Sequence, residues 1–342
     1  MKNHLQVEIL RDWRGAANIV PEWLQLWDRC CNVTPFQRPE WLFTWMEIFQ
    51  PEDARIVLIR HDGVLVGFAP FLIFQNGSDR VLGLMGGGIS DYLDVLIAPQ
   101  CDEEILEKLW DRTNEEGNWA AASLSDLSHN SPLLRWQPPH SSAVVHDVCP
   151  VLQLPSSPED LRSVVPGEQL RNLRNARARL NRAGGGTIDV ANPSTVQATL
   201  EEIFRLHAAR WSQSGQQGVL CEAQVQDFHR KAAGRLLRAG MLGLYSLRHQ
   251  GQTIATLYAL YAREKVYCYL QGFDPECSFF SPGTLILGAA LEGAILRKKS
   301  SADFLRGAES YKYKWGATDQ VTYRIQSRRS FPAHQASLQR VA

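Results

Sequence analysis

The densest collection of reactive side chains in the sequence is Asp303-Phe304-Leu305-Arg306-Gly307-Ala308-Glu309, followed by Tyr311, Lys312, Lys314 and Trp315. Acid, base, phenol and amine packed so closely suit proton transfer, substrate orientation or both. The same residues also permit plain ion pairs, Asp303 with Arg306 and Glu309 with Lys312. A second stretch, Ser281-Pro282-Gly283-Thr284-Leu285, opens an apolar run. Serine is a good N-cap, proline is favoured at the first helical position, and glycine removes a side chain where free N–H groups point outward. Such a helix start can receive a phosphate or pyrophosphate, or can simply begin a helix.

In the first half the outstanding segment is Gly86-Gly87-Gly88-Ile89-Ser90-Asp91-Tyr92-Leu93-Asp94. Three glycines let the backbone approach a ligand closely, and Asp91, Tyr92 and Asp94 offer hydrogen-bonding groups ahead of an apolar strand. A sugar or amine contact suits them, and a functionless turn is the alternative. Two carboxylates are a thin basis for a cation, and no metal is expected. Arg210 and Trp211 close a helical stretch beside the polar loop 214–218, with His207 one turn earlier. Arg171, Arg174, Arg177, Arg179 and Arg182 cover most of a helix whose Leu170, Leu173 and Leu180 share one side. That is an amphipathic surface helix, or a contact for RNA or an anionic substrate.

These residues need positioning elements. Residues 59–72 (IRHDGVLVGFAPFL) and 247–260 (LRHQGQTIATLYAL) share Arg-His-x-Gly at one register, each reading as strand, tight turn and strand. Two copies of one pattern imply a duplicated unit. The proline- and serine-bearing stretch 150–166 divides the chain into 1–150 and 151–328, with a polar tail at 329–342. Helical periodicity is expected at 40–49, 103–115, 170–182, 196–211, 223–239 and 282–297. Strands are expected at 242–248, 253–261, 265–273 and 302–306. Alternating helices and strands of this kind predict a mixed α/β (α+β type) protein with a largely antiparallel central sheet.

Composition is that of an ordinary globular protein: 44% hydrophobic and 21% charged among 342 residues. Equal numbers of acidic and basic residues, 36 each, exert no global pull toward nucleic acid or an anionic membrane. No apolar stretch approaches the length of a membrane span, and residues 1–14 lack the apolar core of a signal peptide. Seven scattered cysteines without Cys-x-x-Cys spacing read as reduced. The expectation is a cytoplasmic protein.

The ordered set Pro35-Phe36-Gln37, Trp41, Trp45, Gly87-Gly88-Ile89-Ser90-Asp91-Tyr92, Arg210-Trp211, Gly272-Phe273-Asp274, Ser281-Pro282-Gly283 and 303–312 spans most of the chain. In it the sequence resembles the CelD/BcsL family of GNAT-superfamily proteins, linked to bacterial exopolysaccharide and cellulose production. That family in turn resembles the FemAB peptidyltransferases, which carry tandem GNAT folds and use aminoacyl-tRNA. The resemblance implies tandem acyl-CoA N-acyltransferase domains and direct acyl transfer from a thioester to an amine of a sugar or sugar nucleotide. It implies acetyl-CoA or another acyl-CoA as co-substrate, its pantetheine arm beside strand 265–273 and its pyrophosphate at the helix from Ser281. Tyr269, Gly272, Ser281, Gly283 and Thr284 would bind it. The Arg/Gln-x-x-Gly-x-Gly/Ala loop of simple GNAT enzymes is absent, and Ser281-Pro282-Gly283 stands in its place.

On this expectation Glu309 or Asp303 takes the amine proton, and Tyr311, or alternatively Tyr269, returns one to the thiolate. Arg306 and Lys312 hold phosphate or substrate, with Asp91, Tyr92, Asp94, Arg210 and Trp211 on the acceptor. The implied partners are an amino sugar or polysaccharide precursor and a membrane polysaccharide synthase complex. An aminoacyl transferase using tRNA, and a non-catalytic subunit of such a synthase, are the alternatives.

Overall fold

The computed structural model describes residues 5–99, 102–213 and 218–328. Its strands are β1 (Leu5–Leu10), β2 (Ala54–His61), β3 (Val64–Asn76), β4 (Asp79–Leu84), β5 (Leu96–Ile97), β6 (Ala121–Ser128), β7 (Ser141–Gln153), β8 (Thr187–Val190), β9 (Leu242–His249), β10 (Gln252–Ala262), β11 (Lys265–Phe273), β12 (Ser301–Asp303) and β13 (Thr318–Arg328). Its helices are α1 (Val20–Arg29), α2 (Pro39–Phe49), α3 (Asp102–Glu115), α4 (Pro132–Trp136), α5 (Gly167–Arg182), α6 (Val196–Gln213), α7 (Ala223–Arg238), α8 (Pro282–Leu296) and α9 (Ser310–Lys314). The polar tail from residue 329 lies outside the described residues.

Two copies of one pattern are visible in that order. The series β1, α1, α2, β2, β3, β4, α3, β6, α4, β7 recurs as β8, α6, α7, β9, β10, β11, α8, β12, α9, β13, with α5 ahead of the second copy. The Arg-His-x-Gly repeat falls on equivalent hairpins, β2–β3 and β9–β10. Asp62 and Gly63 take φ of 49° and 81°, and Gln250 and Gly251 take 48° and 81°. Positive φ at both central residues marks the turn whose twist matches that of the flanking strands.

The strands form one sheet in the order β1-β2-β3-β4-β6-β13-β7-β12-β11-β10-β9-β8, with β5 paired to β3. Among the described residues only β4–β6 and β11–β12 are parallel; the other pairs are antiparallel. The last strand of each copy is lent to the other: β13 lies beside β6, and β7 beside β12. β7 also runs through residue 150, so the sheet is continuous there.

In the second copy, side chains of β10 and β11 feed two apolar clusters. Tyr258 and Tyr267 pack with residues of α6 and α7, and Leu257 and Val266 with residues of α5 and α8. α8 (PGTLILGAALEGAIL) carries no apolar stripe because it is buried on several sides, against β10, β11 and α5. No described helix is long and apolar enough to cross a membrane.

Candidate active site at the splay of β11 and β12

β11 and β12 pair only at Lys265–Ser301, Val266–Ala302 and Tyr267–Asp303. β12 then ends, whereas β11 runs on to Phe273, so from Cys268 this edge of β11 has no strand beside it among the described residues. The expected strand 302–306 is thus shorter: Leu305 takes a positive φ of 59° and turns the chain away. On its other edge β11 bulges, with Tyr258 opposite Leu270 and Ala259 opposite Cys268, which leaves Tyr269 as the extra residue. The bulge shifts the alternation of faces. The Gln271 side-chain amide donates to the Gly283 carbonyl on α8 at 2.8 Å, and Gly272 faces α6, where a Cβ would stand 2.9 Å from the His207 nitrogen. A strand edge with unpaired N–H groups beside an open wedge can polarise a carbonyl oxygen.

On the α8 side the wedge opens into a cleft of about 440 Å³. Its lining includes Arg179, Gln271, Phe273, Ser281 to Thr284, Tyr311 and Lys314. Ser281 does not cap α8 as expected: it sits at φ 52° and its side chain makes no cap bond. Its hydroxyl accepts from the Arg179 guanidinium at 2.9 Å, and Arg179 also donates to the Phe279 carbonyl at 2.8 Å. The helix start therefore carries a fixed guanidinium from α5, with Lys314 on the same wall. At Gly283 a Cβ would meet the Gln271 amide nitrogen at 2.9 Å. Tyr269 and Gly272, expected in this cleft, face the opposite side of β11.

On that opposite side a cavity of about 250 Å³ is lined by Asp303, Tyr92, Tyr267, Lys265, Thr34 and Asn130, among others. Asp303 is 1% exposed. Its carboxylate accepts from the Tyr92 hydroxyl and the Leu305 N–H, each at 2.9 Å. Burial pushes its pKa up to about 6, against Lys265, the Leu305 amide and Tyr92, which pull it down. Arg306 pairs with Asp91 at 2.9 Å and Asp126 at 3.2 Å, not with Asp303. Burial opposes its charge, but the two carboxylates outweigh that and raise its pKa.

The loop carrying Asp91 and Tyr92 is built by the first copy. Gly86 at φ 102° needs to be glycine, since a Cβ there would lie 2.9 Å from Leu93. Trp41 donates to the Ser90 hydroxyl at 2.9 Å and Trp45 to the Gly87 carbonyl at 3.2 Å. The Tyr269 hydroxyl donates to the Ile89 carbonyl at 2.7 Å and so docks the loop on β11.

Other expected site residues are engaged elsewhere. The Lys312 amine is 2% exposed and donates to the carbonyls of Leu305, Arg306 and Gly307 at 2.7–2.9 Å, with Glu309 at 2.9 Å. It clamps its own loop and has no proton left for a phosphate. Glu309 is half exposed and paired with Lys312. Asp94 accepts from Ser131 and the Val95 N–H, and burial pushes it up to about 7. Arg210 and Trp211 lie in the last turn of α6, and their side chains are outside the described residues. Arg179, Lys265, Gln271 and Asp126 were not singled out as site residues by sequence. Only Arg179 carried a signal, as one of the α5 arginines.

Residues 167–313 match the model of the acetyltransferase (GNAT) domain. The match runs from α5 into α9 and contains the whole splay. No curated protein matches the chain. Among solved structures, FemX superposes with a TM-score of 0.67 at 11% identity, covering 94% of this chain and 98% of FemX. The C-terminal domain of a putative lysylphosphatidylglycerol synthetase from Agrobacterium fabrum gives 0.58 at 12% identity, covering 94% of each chain. A tandem GNAT protein from the clavulanic acid biosynthesis pathway gives 0.52 at 12% identity, covering 96% and 100%. What is shared at such identities is the fold: two GNAT-like units in one chain.

Proposed function

We propose that the protein is an acyl-CoA-dependent N-acyltransferase acting on an amine of a sugar or sugar nucleotide, in exopolysaccharide, cellulose or envelope biosynthesis. The observation that carries this reading is the wedge between β11 and β12, with a cation-flanked cleft on one face and a buried carboxylate on the other. The residues present fit an acyl thioester: Arg179, Lys314 and the start of α8 suit a diphosphate, and Gly283 leaves room for it. The pathway rests on the resemblance to CelD/BcsL.

In the proposed reaction the amine nitrogen bonds to the thioester carbonyl carbon and the C–S bond breaks. Asp303 takes the amine proton, being ionised above about pH 6 and held by Tyr92 and Leu305. An N–H on the free edge of β11 stabilises the oxyanion, and Tyr311, on the cleft wall, protonates the leaving thiolate. Asp303 replaces Glu309 as the preferred base because Glu309 is tied to Lys312.

A second reading, an aminoacyl transferase using tRNA, is favoured by α5: its exposed Arg171, Arg174 and Arg182 adjoin Arg179, which lines the cleft. Thiol release from acetyl-CoA, followed with a panel of amino sugars, separates the two. Amine-dependent release supports the first reading. Absent release, together with RNA binding that weakens steeply with salt, overturns it.

A further inference from the structure

The α6/α7 side of the splay holds a group of polar atoms that the reaction above leaves unused. Both ring nitrogens of His229 on α7, and the hydroxyls of Thr256 and Tyr258 on β10, are buried without a hydrogen-bond partner among the described residues. Each of the three residues is 0% exposed. A buried polar group without a partner is costly, so several together call for one.

They are also close together and close to the splay. Thr256 and Tyr258 stand two apart on β10, hence on one face, opposite Gly272 and Leu270 of β11. The His229 ring lies 5.5 Å from that of Tyr258 and 5.6 Å from that of Tyr269, and Tyr258 lies 5.5 Å from Tyr269. Tyr269 is the residue that bulges from the β10 pairing, in the stretch of β11 that runs on past the end of β12. The cluster thus lies on the α6/α7 face of β11 beside that stretch.

We infer that His229, Thr256 and Tyr258 form the acyl subsite, and that the group transferred is a short acyl chain bearing a hydroxyl. The inference rests on the acyl-CoA reading above. A neutral imidazole presents one N–H and one lone pair, and the two hydroxyls can each donate or accept, which matches a hydroxyl substituent. A plain alkyl chain would leave all of them unpaired. An ammonium group is disfavoured as well. Burial, with His207 adding to it, pushes His229 down to about 3, and no carboxylate among the described residues offsets this. The site therefore selects against a charged aminoacyl group.

The test is calorimetric titration of CoA, butyryl-CoA and 3-hydroxybutyryl-CoA into wild type, Tyr258→Phe and Thr256→Val. The expected result is at least about tenfold tighter binding of the hydroxyacyl thioester than of its alkyl twin. That ratio should fall toward one in both variants while CoA affinity holds. The free variants should melt no lower than wild type, since each substitution removes a hydroxyl without a partner. CoA binding with no hydroxyl preference, or a preference both variants retain, overturns the subsite alone. A lowered melting temperature in either variant does the same, by showing that its hydroxyl is already satisfied. Failure of every thioester and of CoA itself to bind overturns the acyl-CoA reading and the subsite with it.

Discussion

The two copies of the repeated unit meet the same structural problem in opposite ways. In each, a pair of parallel strands stays together briefly and then parts: β4 from β6 after Val81–Ala121 and Leu82–Ala122, β11 from β12 after Tyr267–Asp303. In the second copy β11 runs on to Phe273 past the end of β12 and α8 begins at Pro282, leaving the cleft lined by Ser281 to Thr284. In the first copy β4 stops at Leu84, the chain leaves through Gly86–Gly88, and only β5 returns to β3. The excursion, fixed by Trp41 and Trp45, crosses to the second copy and delivers Asp91 and Tyr92 to Arg306 and Asp303. One copy keeps the wedge and the other supplies the side chains that complete it.

Breaking the reactive side of that division has the largest expected effect. Asp303→Asn should lower kcat by about 10²- to 10⁴-fold, as loss of a general base does. Wild-type kcat/KM should rise with pH through about 6, and the variant should lack that limb. The sign for stability is opposite. The folded carboxyl titrates above its ordinary value of 3.8, so ionising it costs stability, and wild type loses stability as pH rises from about 4 through about 6. Urea unfolding of Asp303→Asn should show no such loss.

Next is the clamp on the loop between β12 and α9. Lys312→Met leaves the carbonyls of residues 305–307 without their common donor and should cost about 2–4 kcal/mol, read as a lower urea midpoint. An unchanged midpoint would show that the loop keeps its shape without the amine. The smallest effect tests the link from the first copy. Tyr92→Phe removes one hydrogen bond to the ionised form of Asp303, so the acid limb of kcat/KM should move above pH 6. Activity at pH 8 should fall only about fivefold, the worth of a single hydrogen bond. A limb that stays in place would separate the two copies functionally.

Much of this was legible in the sequence where local rules act. The Arg-His-x-Gly repeat located equivalent hairpins because a turn with both φ positive demands glycine at its second central position. Helix and strand periodicity located α5 to α8 and β9 to β11 to within a few residues. Asp91, Tyr92, Asp303 and Arg306 were named individually, but their pairing was not legible: Asp303 with Tyr92 and Arg306 with Asp91 join residues more than 200 positions apart. Sequence proximity suggested the ion pairs Asp303 with Arg306 and Glu309 with Lys312; the second forms, whereas Arg306 turns to Asp91 and Asp126 instead of Asp303. The exchange of β7 and β13 left no mark at all, since either strand would read the same beside its own copy.

The most direct test of the division between the copies is a pair of matched substitutions, Gly283→Trp at the helix start and Gly87→Trp in the first copy's excursion, each titrated with acetyl-CoA by calorimetry. Gly87 has open space at its Cβ and an ordinary φ, so the bulky side chain there should be tolerated. Wild type and Gly87→Trp should bind with micromolar affinity and Gly283→Trp should not bind, all three melting cooperatively. Binding that survives Gly283→Trp, or that Gly87→Trp abolishes, would contradict the placement of the donor in the second copy.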